Sequence, residues 1–173
     1  MARSIDNVKI GDVQIFADGT DIGHTLGGAT FTFEKEFAEL KVDQYSSPVD
    51  YALSAEKLMI KVTLAEPTTL NLSRAIPQGD YDSGNVDDKL TLGTDTGYLL
   101  SQDAVELRLH PRAKGATDYS EDIYIWRAIV KENVELSYTV EDQRVLEITF
   151  EAIPDESEAN FARLGRIGPA IIS

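Results

Sequence analysis

Apolar and polar positions alternate most sharply between Gly28 and Ala65, where the pattern predicts two long amphipathic strands joined by a loop. From Ala29 onward, Phe31, Phe33 and Phe37 fall on one side of a two-residue period, with Thr30, Thr32, Glu34 and Glu36 on the other. After Ala38 the phase slips, so that Leu40 and Val42 oppose Glu39, Lys41 and Asp43, and a β-bulge or bend is expected near Phe37 to Glu39. The partner strand, Lys57 to Ala65, sets Leu58, Ile60, Val62 and Leu64 against Lys57, Met59, Lys61 and Thr63. The hairpin therefore has one dry face and one wet face. Between its strands, residues 44–56 read as a thirteen-residue loop, long for a compact domain and so of functional interest, with Val49, Tyr51 and Leu53 lacking any core to enter.

The rest of the chain supplies the body. A short strand at Val13 to Ala17 turns at Asp18-Gly19, and a glycine-punctuated connection, Asp21 to Gly28, leads into the hairpin. Thr68 to Ala75 reads as a helix with a Thr cap, an apolar Leu72 and Ile76 pair spaced i, i+4 and a stop at Pro77, lying across the dry face. Residues 77–103 carry six Asp and one Lys among Gly, Ser and Thr, and read as an acidic loop with a candidate strand at Leu90 to Leu92. Further strands are predicted at Ala104 to His110, Ile123 to Lys131, Val134 to Val140 and Val145 to Ala152, the second of them covered on both faces. The fold class is thus mainly β: one domain over residues 1–173, an antiparallel β-sandwich or small barrel at 13–152 flanked by one α-helix. An N-terminal arm (1–12) and a C-terminal arm (154–173) complete it, the latter with Phe161, Leu164, Ile167, Ile171 and Ile172 unhoused.

Charge narrows the choice of partner. Sixteen basic residues against 30 acidic ones leave a formal net charge of −14, which disfavours a surface that grips nucleic acid through its phosphates. Without cysteine there is no disulfide framework, thiolate nucleophile or cysteine-ligated metal. The opening residues carry no signal-peptide core and no run approaches about 18 apolar residues, so neither secretion by that route nor membrane spanning is expected.

Catalytic motifs are missing. There is no G-x-S-x-G elbow, phosphate-cradling loop, dinucleotide fingerprint or H-E-x-x-H helix, and His24 and His110 fall in separate elements. Asp80 to Asp87 superficially resembles a calcium loop, but Gly84 occupies a ligand position and Thr91 stands where the bidentate Glu belongs. The Asn71-Leu72-Ser73 sequon lies inside the predicted helix. No enzyme activity, cofactor or metal is expected.

Three passages carry a family resemblance: Gly23-His24-Thr25-Leu26-Gly27-Gly28-Ala29-Thr30-Phe31, the stretch from Val42-Asp43-Gln44 to Pro48-Val49-Asp50, and Lys61-Val62-Thr63-Leu64-Ala65-Glu66 leading to Leu70-Asn71-Leu72. Over residues 10–76 the chain resembles the tail tube (major tail) proteins of long-tailed bacteriophages, and over the C-terminal strands it does so in pattern. The resemblance implies a structural virion protein, made in the host cytoplasm, whose hexameric rings stack head to tail into a hollow tube that conducts DNA without specific binding. Its implied partners are further copies of itself and the tape measure, terminator and tail-tip initiator proteins, with no membrane.

Within that scheme Glu34, Glu36, Glu39, Asp43, Glu147 and Glu151 are the candidates to face the lumen, where acidic groups repel phosphates and let DNA slide. Lys41, Lys57 and Lys61 run against this, and either pair with those acids or face outward. Ser47, Pro48, Val49, Asp50, Tyr51 and Leu53 are the candidate ring-stacking loop, whose deletion is expected to leave a folded protein that no longer polymerises. In a different class stands a monomeric β-sandwich binding module, for carbohydrate, that would use loop aromatics Tyr45, Tyr51, Tyr81, Tyr98 and Tyr119. An enzyme would need a cleft with shifted carboxylate pKa values.

Overall fold

The first two strands are β1 (Val13–Ala17) and β2 (Thr20–Asp21), linked by a tight turn in which Asp18 and Gly19 both take positive φ. That is the two-residue hairpin geometry that Asp-Gly favours. The computed structural model describes residues 11–84, 87–93, 96–136, 138, 142–156 and 163–169. Most of the predicted N-terminal arm therefore lies outside the described residues, as do Phe161, Ile171 and Ile172.

The long hairpin is β3 (Thr25–Leu40) and β4 (Asp50–Leu64), followed by α1 (Thr69–Ala75). Then come a small hairpin of β5 (Asp80–Ser83) and β6 (Asp88–Thr91), a 3-10 turn at Leu100–Asp103, and the strands β7 (Val105–Pro111), β8 (Ile123–Val130), β9 (Leu146–Ala152) and β10 (Gly165–Ile167). All pairings are antiparallel, and the main sheet runs β2-β1-β7-β8-β9-β4-β3, with β10 also on β8.

β2 and β3 stand at opposite ends of that order yet are joined by residues 22–24 alone. A flat sheet would hold its end strands about 29 Å apart at ~4.8 Å per step, whereas so short a link spans at most about 15 Å. The sheet must curl until its edges approach, giving an antiparallel β-sandwich wrapped round one core. Ile15, Ile60, Leu64, Leu107, Ile125 and Leu146 are all fully buried in it.

Helix α1 starts as its sequence suggests, with the Thr68 hydroxyl accepting from the Asn71 N–H at 3.2 Å. Leu72 of the expected apolar pair packs against the core, and two further residues go deeper. Asn71 and Ala75 are the buried ones, while Leu72 and Ile76 are half-buried. The Asn71 amide donates to the carbonyls of Ile22 (2.8 Å) and Glu66 (3.0 Å), tying the link between β2 and β3 to the helix entry.

Three other expectations need correction. Of the strand predicted at Val134 to Val140, residues 137, 139 and 140 lie outside the described residues, and 134–136 and 138 form no strand, although Val134 and Leu136 still pack on the core. The acidic stretch 77–103 is not a plain loop, since β5 and β6 pair within it and their Tyr81 and Leu90 are half-buried. The C-terminal arm returns to the sheet as β10, where a Cβ on Gly165 would collide with the Tyr124 carbonyl, so only glycine permits this approach.

On β8 no residue is exposed, and a bulge across Trp126-Arg127 brings Ile125, Ala128 and Val130 to the core side together. Beside it, the buried His110 Nδ1 lies 2.7 Å from the fully buried Asp122 Oδ1. The Asp122 carbonyl in turn accepts from the Gly168 N–H at 2.8 Å, so this pair links β7, the 112–121 loop and the chain leaving β10.

Candidate functional site

β4 pairs with β9 only from Met59 to Leu64, while its pairing with β3 continues out to Asp50. From Phe33 to Leu40 and from Asp50 to Glu56 the hairpin is therefore a two-stranded arm beyond the body, every residue of it exposed. Its tip is a nine-residue loop, 41–49, closed by the Val49 N–H donating to the Leu40 carbonyl at 2.8 Å. The predicted loop 44–56 is displaced as well as shortened: it opens at residue 41, while Asp50, Tyr51 and Leu53 are strand residues and Ser47, Pro48 and Val49 remain in the loop.

The expected bulge occurs, but on the other strand. Glu36 is opposite Ala55 and Phe37 is opposite Leu53, so Ser54 is the extra residue and β3 keeps its phase. Phe33/Leu58, Lys35/Glu56, Phe37/Leu53 and Glu39/Tyr51 are consequently cross-strand pairs on one face, continuous with the core side of Ile60. Phe37 is 56%, Tyr51 57% and Leu53 50% exposed. Where this face meets the body, a mainly apolar groove of about 420 Å³ opens between the arm and β10, with Phe31, Phe33, Leu58 and Leu164 in its lining beside the charged Glu56, Arg163 and Arg166.

The opposite face is the wet one. Register places Glu34, Glu36, Lys57 and Lys61 on it from the hairpin and Glu147 and Glu151 from β9. Four of the six lumen candidates are thus brought together. Glu39 is not among them, because the bulge lies on β4 and leaves Glu39 on the dry face opposite Tyr51, and Asp43 sits in the tip loop. The lysines pair with acids: Lys61 with Glu147 at 2.6 Å, Lys57 with Glu151 at 3.5 Å, and Lys41 with Glu39 at 2.5 Å. Lys131, not among the residues singled out from the sequence, reaches Glu151 at 2.7 Å. Glu132 also acts on Lys61 by charge and lies with Glu135 beside Glu147, so acids outnumber the lysines here, although Lys57, Lys61 and Lys131 each have a glutamate partner.

The Glu147 carboxylate, by hydrogen bond and by charge, holds Lys61 above its ordinary value of 10.5. A base raised in this way contributes stability below its unfolded pKa and loses it as pH rises through the folded pKa, so the pair persists through neutral and mildly alkaline solution. In Glu147→Gln the Lys61 side-chain titration, followed by NMR, is expected to move to lower pH. An unchanged midpoint would show that the pair does not form in solution.

The loop aromatics do not form one set. Tyr51 lies on β4 and Tyr81 on β5; the Tyr98 hydroxyl donates to Asp103 at 2.7 Å; Tyr119 packs edge-on to His110; Tyr45 alone remains a well exposed loop residue of the five. Among the described residues no group of three or more His, Asp or Glu is arranged to hold a metal ion, and no helix is long and apolar enough to cross a membrane. No protein-family model matches the chain, and no curated protein matches its sequence.

Proposed function

We propose that this chain is the repeating subunit of a hollow tube, the tail tube of a long-tailed bacteriophage, built from hexameric rings stacked head to tail in the virion. The observation that carries this is the arm. A two-stranded ribbon is marginal in water by itself, and this one exposes Phe37, Tyr51 and Leu53 on a single face. Exposed apolar surface of that kind marks a partner surface. The groove at the base of the arm suits the apolar ridge at the tip of a neighbouring copy, a heterologous contact that propagates into an open filament.

The outer edge of β3 is a second supporting feature, because it ends the sheet order and offers unpaired backbone groups for a neighbour within a ring. In such a ring the wet face of β3, β4 and β9 lines the hole. Lys57, Lys61 and Lys131 each meet a glutamate there, so a passing phosphate finds its cations already engaged and DNA slides without specific binding. Tape measure, terminator and tail-tip initiator proteins are the further partners of such a tube. It is not an enzyme.

Negative-stain electron microscopy of the purified chain over a concentration series, paired with native mass, tests this. Rings or hollow tubes are expected. A monomer at every concentration that also fails to join tail complexes would overturn the assembly and favour a binding module.

A further inference from the structure

On the side of the sheet away from the core, four residues stand in register across four strands. Phe16 on β1 is opposite Arg108 on β7, Arg108 is opposite Tyr124 on β8, and Tyr124 is opposite Arg166 on β10. The Arg108 guanidinium carbon lies 4.2 Å from the centre of the Phe16 ring and 5.7 Å from that of Tyr119, and Arg166 lies 4.8 Å from that of Tyr124. Aromatic and cationic side chains thus alternate along one ledge, a composition typical of the anchoring centre of protein interfaces.

Among the described residues the ledge has no counter-charge. In a chain with 30 acidic residues against 16 basic ones, neither arginine pairs with a carboxylate among the described residues, and the Nε atom of each is buried without a hydrogen-bond partner. Other basic side chains on the surface, such as Lys61, Arg112, Lys114 and Lys131, do have acids. Half-buried guanidinium groups stacked on rings are held in position for a carboxylate that comes from elsewhere.

The chain itself carries a matching group. The β5/β6 hairpin turns Tyr81 inward, and Asp80 and Asp82 are both exposed on the other face of their strand, Asp80 opposite Thr91 and Asp82 opposite the exposed Lys89. Residues two apart on a strand are about 7 Å apart, while Arg108 and Arg166, two strand spacings apart, are about 10 Å apart at the backbone. The long arginine stems absorb that difference.

We infer that the Phe16–Arg108–Tyr124–Arg166 ledge is a docking site for the acidic β5/β6 hairpin of a second copy of this chain, with Asp80 and Asp82 meeting the two guanidinium groups. It rests on the reading that copies of the chain assemble, and adds to the arm a second, charge-based contact that weakens with salt.

The test combines charge reversal with trapping. Asp80→Lys/Asp82→Lys is expected to lower the association constant at least tenfold at physiological salt, and Arg108→Glu/Arg166→Glu is expected to do the same. Joining all four substitutions is expected to restore most of it. Because the chain has no cysteine, an Asp82→Cys copy mixed with an Arg166→Cys copy under mild oxidation is expected to form mixed disulfide dimers, above the level of an Asp82→Cys and His24→Cys control. Tubes that form normally from Asp80→Lys/Asp82→Lys, with trapping no better than control, would remove the ledge contact and leave the arm-based assembly standing. Strictly monomeric wild-type protein that nevertheless traps above control would keep the ledge and remove the tube, and monomers without trapping would remove both.

Discussion

A Tyr51→Thr/Leu53→Thr variant is expected to fold like the parent and to form no tubes at concentrations where the parent assembles. Both side chains are at least half exposed on the arm, so no core contact is lost, and threonine keeps the β propensity of the strand. Substitutions at such sites ordinarily change stability by no more than about 0.5 kcal/mol. Assembly is another matter. Covering two half-exposed side chains of this size contributes roughly 1 kcal/mol each, so one lost contact weakens association by about 30-fold, and a tube repeats that contact at every subunit. Point substitution is also cleaner than removing Ser47 to Leu53, because Asp50 to Leu53 pair with Phe37 to Leu40 and their deletion would unravel the arm. Circular dichroism and thermal melting check the fold, and electron microscopy checks the tubes. Tubes of parental length at parental concentration would remove the dry face of the arm from the assembly contact.

The hairpin was legible in sequence because a two-residue period depends only on which side of a strand is dry. The strand carrying its bulge was not. Tyr51 and Leu53 occupy odd positions and Leu58 and Ile60 even ones, so the phase break at Ser54 is written in the sequence of β4. Leu40 and Val42 make an equally good break on β3, and nothing local says which strand takes the extra residue. The choice decides the site, since it sends Glu39 to the dry face and leaves Glu34 and Glu36 on the wet one. Lys131 and the ledge were hidden for a different reason. Arg108 and Tyr124 sit on consecutive strands, but Phe16 and Arg166 join them from near the two ends of the chain, and β10 lies in a segment whose isolated apolar residues show no strand period. On α1, Leu72 packs on the core as its spacing indicates, but the burial of Asn71 was not legible, because that residue is buried to satisfy two backbone carbonyls, a role its polarity conceals.

The two histidines, alike as isolated residues in the sequence, are expected to differ widely when replaced by alanine. His24 is mostly exposed, with Nε2 at 3.6 Å from Glu66, and such a surface contact contributes at most a fraction of a kcal/mol. His110→Ala removes the partner of Asp122, whose side chain is fully buried and whose second oxygen, Oδ2, already lacks a hydrogen bond. Both carboxyl oxygens would then stand in the interior without a donor, an arrangement that costs about 3 kcal/mol or more. For a domain of this length each kcal/mol lowers Tm by about 2–4 °C, so a fall of roughly 6–12 °C is expected for His110→Ala and almost none for His24→Ala. Because Asp122 also connects the 112–121 loop to the segment after β10, the loss should extend to amide protection at Gly168, whose N–H donates to the Asp122 carbonyl. The double variant His110→Ala/Asp122→Ala is expected to be less destabilised than the sum of its parts, since removing both members leaves no unpartnered group. Equal, small effects at the two histidines would show that the pair does not hold this end of the sandwich.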